Sequence, residues 1–272
     1  MAERTATVGD QVLTSERLFL IAGPCVIESE DLCRRVAEHM KAVTGRLGMP
    51  YVFKASYDKA NRTSVAAFRG PGWDEGLMIL RQVRQEIGVP VLSDVHTIEE
   101  AGKAGGVLDC LQVPAFLCRQ TDLVQAAAKW GNAVNLKKGQ FLAPWDMKHV
   151  VAKAEAAGAA NILVTERGTC FGYNRLVSDM TAMAALAEFG HPVVFDATHS
   201  AQEPGGLDTA TGGSRETAAL LAKAAVAAGA DGLFLEVHPD PDHAKSDGPN
   251  SIALTHVEAL LETCLAIKAA VG

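Results

Sequence analysis

Four side chains that make good metal ligands, Cys25, His199, Glu236 and Asp247, stand at or just after the ends of three apolar runs that lie far apart in the chain. Cys25 closes the run 18–25, His199 closes 193–199, and Glu236 lies within 232–238 with Asp247 in the loop beyond. A thiolate, an imidazole and two carboxylates suit zinc, iron, manganese or cobalt better than calcium or magnesium. The expected cofactor is one divalent ion of that group. Six cations follow the same habit: Lys54, Lys59, Arg62, Arg119, Lys137 and Arg167 end or follow other apolar runs. A guanidinium offers a planar donor fork and an ammonium a point charge, two means of holding phosphate or carboxylate. Each residue also has a plainer use. Cys25 can pack as a small core residue, His199 can be a hydrogen-bonded structural histidine, and the cations can pair with Asp58, Asp122 or Glu166 on a solvated rim. Only a fold that gathers them makes a site.

The pattern between them predicts such a fold. Eight β-rich runs, 18–25, 51–56, 89–96, 110–114, 133–138, 161–166, 193–199 and 232–238, alternate with helical stretches such as 31–47, 215–228 and 254–270. Eight βα units point to an α/β protein, a single (β/α)8 TIM barrel over residues 1–272, with a short N-terminal hairpin at 6–15. An open doubly wound sheet would carry a glycine fingerprint after its first strand, and Gly23-Pro24-Cys25 is not one. In a closed barrel the seventh, eighth and first strands are neighbours, so the four ligands converge at the C-terminal rim where barrel enzymes keep their chemistry. Nearly every run delivers a polar residue there: Lys54 and Ser56, Asp94 and His96, Arg119 and Gln120, Lys137, Lys138 and Gln140, Glu166 and Arg167. Strand alternation puts Asp94 and His96 on one side, which favours substrate contact for both, and leaves His238 between a structural and a functional role. The glycine-rich stretches at 203–213 and 239–250 are expected to be mobile loops over the site.

Composition removes several function classes. With 48% hydrophobic and 21% charged residues the chain is globular, and a net charge of −7 leaves no diffuse basic surface for nucleic acid or an anionic membrane. No apolar run reaches transmembrane length and the N-terminus lacks the organisation of a signal peptide, so a cytoplasmic enzyme is expected. The six cysteines show no zinc-ribbon pairing and read as reduced thiols. Adjacent Lys137 and Lys138 keep a Schiff-base aldolase open as an alternative. A barrel that binds phosphorylated sugars without turning them over is a third reading.

Longer motifs narrow the field. Ile21-Ala22-Gly23-Pro24-Cys25, Phe53-Lys54-Ala55-Ser56-Tyr57-Asp58-Lys59-Ala60-Asn61-Arg62-Thr63-Ser64, Pro114-Ala115-Phe116-Leu117-Cys118-Arg119-Gln120-Thr121-Asp122-Leu123, Thr165-Glu166-Arg167-Gly168 and Phe195-Asp196-Ala197-Thr198-His199-Ser200 closely resemble the 3-deoxy-D-manno-octulosonate 8-phosphate synthases. The resemblance continues through Glu236-Val237-His238-Pro239-Asp240-Pro241 and covers residues 18 to 270. It implies condensation of phosphoenolpyruvate with D-arabinose 5-phosphate for lipopolysaccharide synthesis, in a homo-oligomer expected to be a tetramer. It also implies site roles. Lys54, Lys59, Gln112, Lys137 and Arg167 would hold phosphoenolpyruvate. Asn61, Arg62, Ser64, Asp94 and His96 would hold the pentose phosphate, with Arg119 supplied by a neighbouring subunit. Lys59, Lys137, His199 and Asp247 would serve catalysis, and Cys25, His199, Glu236 and Asp247 the metal. The family's metal-dependent and metal-independent branches differ chiefly by Cys or Asn at the position of Cys25. The related erythrose 4-phosphate synthases typically read Lys-Pro-Arg-Thr-Ser where this chain reads Lys59-Ala60-Asn61-Arg62-Thr63-Ser64. Thr63 stands where a serine is commoner.

Overall fold

The structure is a computed structural model that describes residues 3–62, 64–206 and 212–271. Thr63 and the tip of the glycine-rich loop at 207–211 lie outside them. The chain begins with the expected hairpin, β1 (Thr5–Val8) and β2 (Gln11–Thr14), and enters a barrel at β3 (Phe19–Gly23). Then follow α1 (Glu30–Leu47), β4 (Tyr51–Lys54), α2 (Trp73–Gln82), β5 (Val91–Asp94), α3 (Ile98–Ala104), β6 (Cys110–Val113), α4 (Thr121–Trp130), β7 (Val134–Lys137), α5 (Met147–Ala156) and β8 (Ile162–Glu166). A small antiparallel arm, β9 (Thr169–Gly172) with β10 (Arg175–Val177), precedes α6 (Ala182–Ala187) and β11 (Val193–Asp196). One helical turn, α7 (Ala197–Ser200), leads to β12 (Gln202–Glu203), which pairs with β13 (Gly212–Gly213). The chain closes with α8 (Arg215–Ala227), β14 (Gly232–His238), β15 (Ile252–Ala253) and α9 (Leu254–Val271).

Strands β3 to β8, β11 and β14 pair in parallel, and the register Val194 to Gly232 and Phe195 to Leu233 joins β11 to β14 while β14 also pairs with β3. The eight-stranded barrel is therefore closed. Side-chain alternation divides its apolar residues between two cores. One lies between strands and helices; the other fills the barrel, where Phe19, Ile21, Val52, Leu92, Leu163 and Phe234 meet Ala6, Val8 and Leu13 of the hairpin. The hairpin thus plugs the end at which the strands begin. Helix starts follow sequence: Ser29, Thr97 and Ser214 each accept a backbone N–H of the first turn of α1, α3 and α8. Gly23 is required by close approach, since a Cβ there would lie 1.9 Å from the Lys54 carbonyl oxygen. That approach lets the chain carry Cys25 over the rim.

Candidate active site

At the rim, the run expected as strand 193–199 breaks at Asp196. Its carboxylate accepts the His199 N–H at 3.0 Å and caps α7, so His199 stands on a helical turn and not on a strand. Cys25 likewise lies past β3, and its neighbour Val26 bridges Ser56. Cys25, Glu236 and Asp247 bring one ligand atom each to within 4.8 Å of one another. The Cys25 sulfur is 3.1 Å from Asp247 and 2.8 Å from Ser246 Oγ. His199 approaches from the other side, its Nε2 3.4 Å from Glu236 Oε1 and 3.8 Å from Asp247 Oδ2. Glu236 Oε2 is buried with no hydrogen-bond partner. A soft sulfur, an imidazole nitrogen and two carboxylates, one with an orphaned buried oxygen, fit a first-row divalent ion. Burial, with Asp247 and Glu236 beside it, pushes the Cys25 thiol well above its ordinary value, so a bound cation would be needed to make it the thiolate ligand.

The cations stand around these groups. Lys54, fully buried, reaches Glu236 at 2.9 Å, and Lys59 reaches the same oxygen at 3.6 Å. Burial opposes the Glu236 charge, yet His199, Lys54 and Lys59 hold its carboxyl far below the usual range. Lys137 pairs with Asp196, whose Oδ2 is also 2.7 Å from His199 Nδ1. That last contact is close but poorly aligned, and Nδ1 makes no formed hydrogen bond. Burial pulls the Lys137 ammonium below its ordinary value despite Asp196, with Lys54 adding repulsion. Arg167 differs from both lysines. Its Nη2 donates to Gln202 at 2.7 Å, its Nη1 is buried without a partner, and among the described residues no carboxylate lies within ion-pair distance. Its backbone is fixed by Glu166 Oε1, which accepts the N–H groups of Arg167 and Gly168 at 3.0 and 2.7 Å. Gly168 sits at φ +86°, a turn that suits glycine.

Two cavities open here. An inner one of about 220 Å³ is lined by Lys54, Lys59, Asp94, His96, Gln112, Lys137 and Arg167, among others. An outer one of about 870 Å³ shares Lys59, Asn61, Arg167 and His199 and adds Arg62 and Asp247. Asp94 and His96 therefore face one space, as alternation implied. Ser64 and Arg119 line neither cavity; Arg119 is exposed. Arg62 donates to the Phe68 carbonyl at 2.9 Å and the Lys245 carbonyl at 3.4 Å. His238 turns away, its Nδ1 accepting the Asp240 N–H at 3.0 Å and its Nε2 3.5 Å from Glu28, whose carboxylate takes the Lys245 N–H at 2.9 Å. It pins the loop that carries Asp247. Lys138 is equally structural: its buried ammonium donates to the carbonyls of Gly139 and Leu142 and to Thr169 Oγ1, all at 3.1 Å. Lys138 lines neither cavity, and the Lys137 ammonium is held in an ion pair with Asp196.

A belt of polar side chains crosses the barrel, and its members Asn135 and Thr165 were not singled out from sequence. Thr165 donates to Asn135 at 2.6 Å, Asn135 to Gln112 at 2.8 Å, and Gln112 and Ser56 both donate to Asp94. Every donor points toward Asp94, whose charge burial opposes but Lys54, Lys59 and Lys137 hold in place. Asp196, which joins Lys137 to His199, was missed in the same way. Its place as an acidic residue inside the run 193–199, like that of Asp94 inside 89–96, was the available signal.

A closed parallel barrel whose rim gathers buried cations around a thiol, an imidazole and carboxylates belongs to the class of barrel enzymes that bind small phosphorylated anions. Comparison with known proteins narrows the class: the chain belongs to the DAHP synthetase I family, which it matches over residues 7–271. It is 60% identical to the 2-dehydro-3-deoxyphosphooctonate aldolase of Trichlorobacter lovleyi, over 93% of each chain. Identity to the enzyme of that name from Pelobacter propionicus is 56%, over 98% of this chain and 99% of the relative. That to the one from Methylococcus capsulatus is 60%, over 90% and 87%.

Proposed function

We propose that this chain condenses phosphoenolpyruvate with D-arabinose 5-phosphate to give 3-deoxy-D-manno-octulosonate 8-phosphate and inorganic phosphate, with a divalent metal at Cys25, His199, Glu236 and Asp247. The observation that carries the reading is Arg167, a buried guanidinium that among the described residues has a free Nη1 and no carboxylate partner, at the mouth of a cavity that Lys54, Lys59 and Lys137 also line. A buried cation left unpaired is costly and calls for an anion. Arg167 and Lys59 take the phosphate, Lys54 and Lys137 the carboxylate side, and Gln112 lies beneath. Asn61 and Arg62 in the outer cavity take the phosphate of the pentose, whose aldehyde end reaches inward to Asp94 and His96. Ser64 and Arg119 line neither cavity, which supports assembly of a complete acceptor site only in a homo-oligomer, with Arg119 arriving from a neighbour.

In the reaction the enol C3 forms a bond to the aldehyde carbon, the aldehyde oxygen gains a proton, water adds at C2, and the C2–O bond to phosphate breaks. The cationic ring keeps both phosphates and the carboxylate in place while charge develops at C2 and at the aldehyde oxygen. A bound divalent ion would supply Lewis acidity at the acceptor or at the attacking water. Closure of the loop at 239–250 would exclude bulk water. Among the described residues no helix is long and apolar enough to cross a membrane, which suits a reaction in the cytoplasm. Pure protein given phosphoenolpyruvate should release phosphate with arabinose 5-phosphate, far less with erythrose 4-phosphate, and less after chelation. No phosphate release with either sugar, with or without added manganese, zinc or cobalt, would sink the reading.

A further inference from the structure

Glu100 accepts more than its place in a helix demands. It is the third residue of α3, and its N–H donates to the cap Thr97 at 3.1 Å, so Thr97 and Glu100 have capping-box spacing. In that box the glutamate reaches back to the N–H of the cap itself. Here Oε2 reaches one residue further, to the His96 N–H at 3.0 Å. It also meets His96 Nδ1 at 3.0 Å and the Tyr57 hydroxyl at 2.9 Å. An ionised carboxylate can only accept, so Nδ1 carries its hydrogen, and Nε2 is the ring nitrogen left for the inner cavity that His96 lines. The ring of Tyr57 stands edge-on to the imidazole, with centroids 6.3 Å apart, and keeps it from turning. Glu100 itself lines neither cavity.

We infer that Glu100 is a positioning residue for the acceptor: by holding His96 through Nδ1 it presents Nε2 to an oxygen of the sugar. This rests on the reading of the inner cavity as the place where the acceptor aldehyde arrives. The charged groups facing the ring are Glu100 from α3, Asp94 from β5 and Asp58 from the loop after β4, with Lys54 and Lys59 across the cavity. Burial alone would weaken the imidazolium, but Glu100, Asp94 and Asp58 together hold it above the ordinary histidine value. The sign follows. The charged hydrogen bond is fully present below the ordinary histidine value and is lost as pH rises through the raised one.

Histidine-labelled protein without substrates, followed by NMR and assigned with His96→Gln, reads this link independently of any reaction. The neutral His96 should carry its hydrogen on Nδ1 and titrate above free histidine. Glu100→Gln should lower that midpoint, shift the rise of acceptor KM to lower pH and raise acceptor KM at neutral pH roughly tenfold. The phosphoenolpyruvate KM should change by less than about twofold, because Glu100 touches none of its cations. Thr97→Ala breaks the cap and leaves the charge, so it should lower the melting temperature and leave the His96 midpoint in place. Hydrogen on Nε2 of neutral wild-type His96, which needs no variant to fold, overturns the inference. So does a midpoint that Glu100→Gln does not lower, or a lowered midpoint with unchanged acceptor KM. Failure of the protein to release phosphate with either sugar would instead refute the proposed reaction, while the NMR result would still stand or fall separately.

Discussion

The two ends of the barrel carry charge in opposite ways. Where the strands begin, the buried carboxylate of Asp231 takes both arms of Arg4 at 2.9 and 2.7 Å and the Val193 N–H at 2.8 Å, and the hairpin covers the opening. Asp109 accepts the Val91 N–H and pairs with Arg84. Where the strands end, Lys54 and Lys59 share one oxygen of Glu236, and among the described residues Arg167 has no carboxylate partner. One end is complete as folded; the other is complete only with anions bound. The contrast implies that the closed end supports stability and the open end sacrifices some of it for binding.

Arg167→Met should break the contrast most visibly. Loss of the free guanidinium should lower kcat/KM roughly 10²- to 10³-fold, about 3–4 kcal/mol of transition-state stabilisation. The melting temperature should hold or rise, because a desolvated, unpaired charge has gone. Steady-state kinetics beside a thermal melt reads both, and a large drop in melting temperature would contradict the assignment of that end to binding. Asp231→Ala is the converse. It strands Arg4 and the Val193 N–H, and should cost about 3 kcal/mol of stability. The kcat/KM measured well below the lowered melting point should stay within about twofold. Cys25→Asn lies between them in kind. It removes one of the four proposed ligands and should weaken manganese binding roughly a hundredfold, about 2.7 kcal/mol. Binding of phosphoenolpyruvate should remain, since none of its proposed cations hydrogen-bonds the Cys25 side chain; equilibrium dialysis and titration measure the two separately.

Much of this contrast was legible in the sequence. The eight runs gave the strands within three residues, and ordering them around a closed barrel sufficed to bring together Cys25, Glu236 and Asp247, with His199 3.4 Å from Glu236. Local patterning could not reveal how loops return to the rim. Alternation could say which face Asp94 takes, but not that Gln112, Asn135 and Thr165 would hand hydrogen bonds to it across three further strands. Glu100 was hidden by its own plain explanation, since a capping box accounts for a glutamate three residues after a threonine. Asp196 was hidden because it ends the strand that the sequence prolonged to His199. The arm at β9 and β10 went unread for a related reason: its residues are largely exposed and lack the apolar run that marks a barrel strand.

The smallest expected effect sharpens the comparison within the closed end itself. Asp109 is buried like Asp231, but its partner Arg84 is 45% exposed, and the pair is worth about 1 kcal/mol or less. Burial, with Asp10 adding repulsion, holds the Asp109 carboxyl above the ordinary aspartate value despite Val91 and Arg84. A carboxyl raised on folding binds its proton more tightly in the folded state, so its ionisation weakens the fold. Its favourable contribution is greatest below the ordinary aspartate value and falls as pH rises through the raised one. Asp109→Asn keeps an oxygen for the Val91 N–H and removes the ionisation. The variant should therefore stay within about 1 kcal/mol of the wild type at pH 7 and lose ground to it as the solution is acidified, in urea unfolding across that range. A loss at pH 7 as large as that of Asp231→Ala would mean that the closed end depends on every one of its buried carboxylates being charged, and not on the one that ties the hairpin to the last strand.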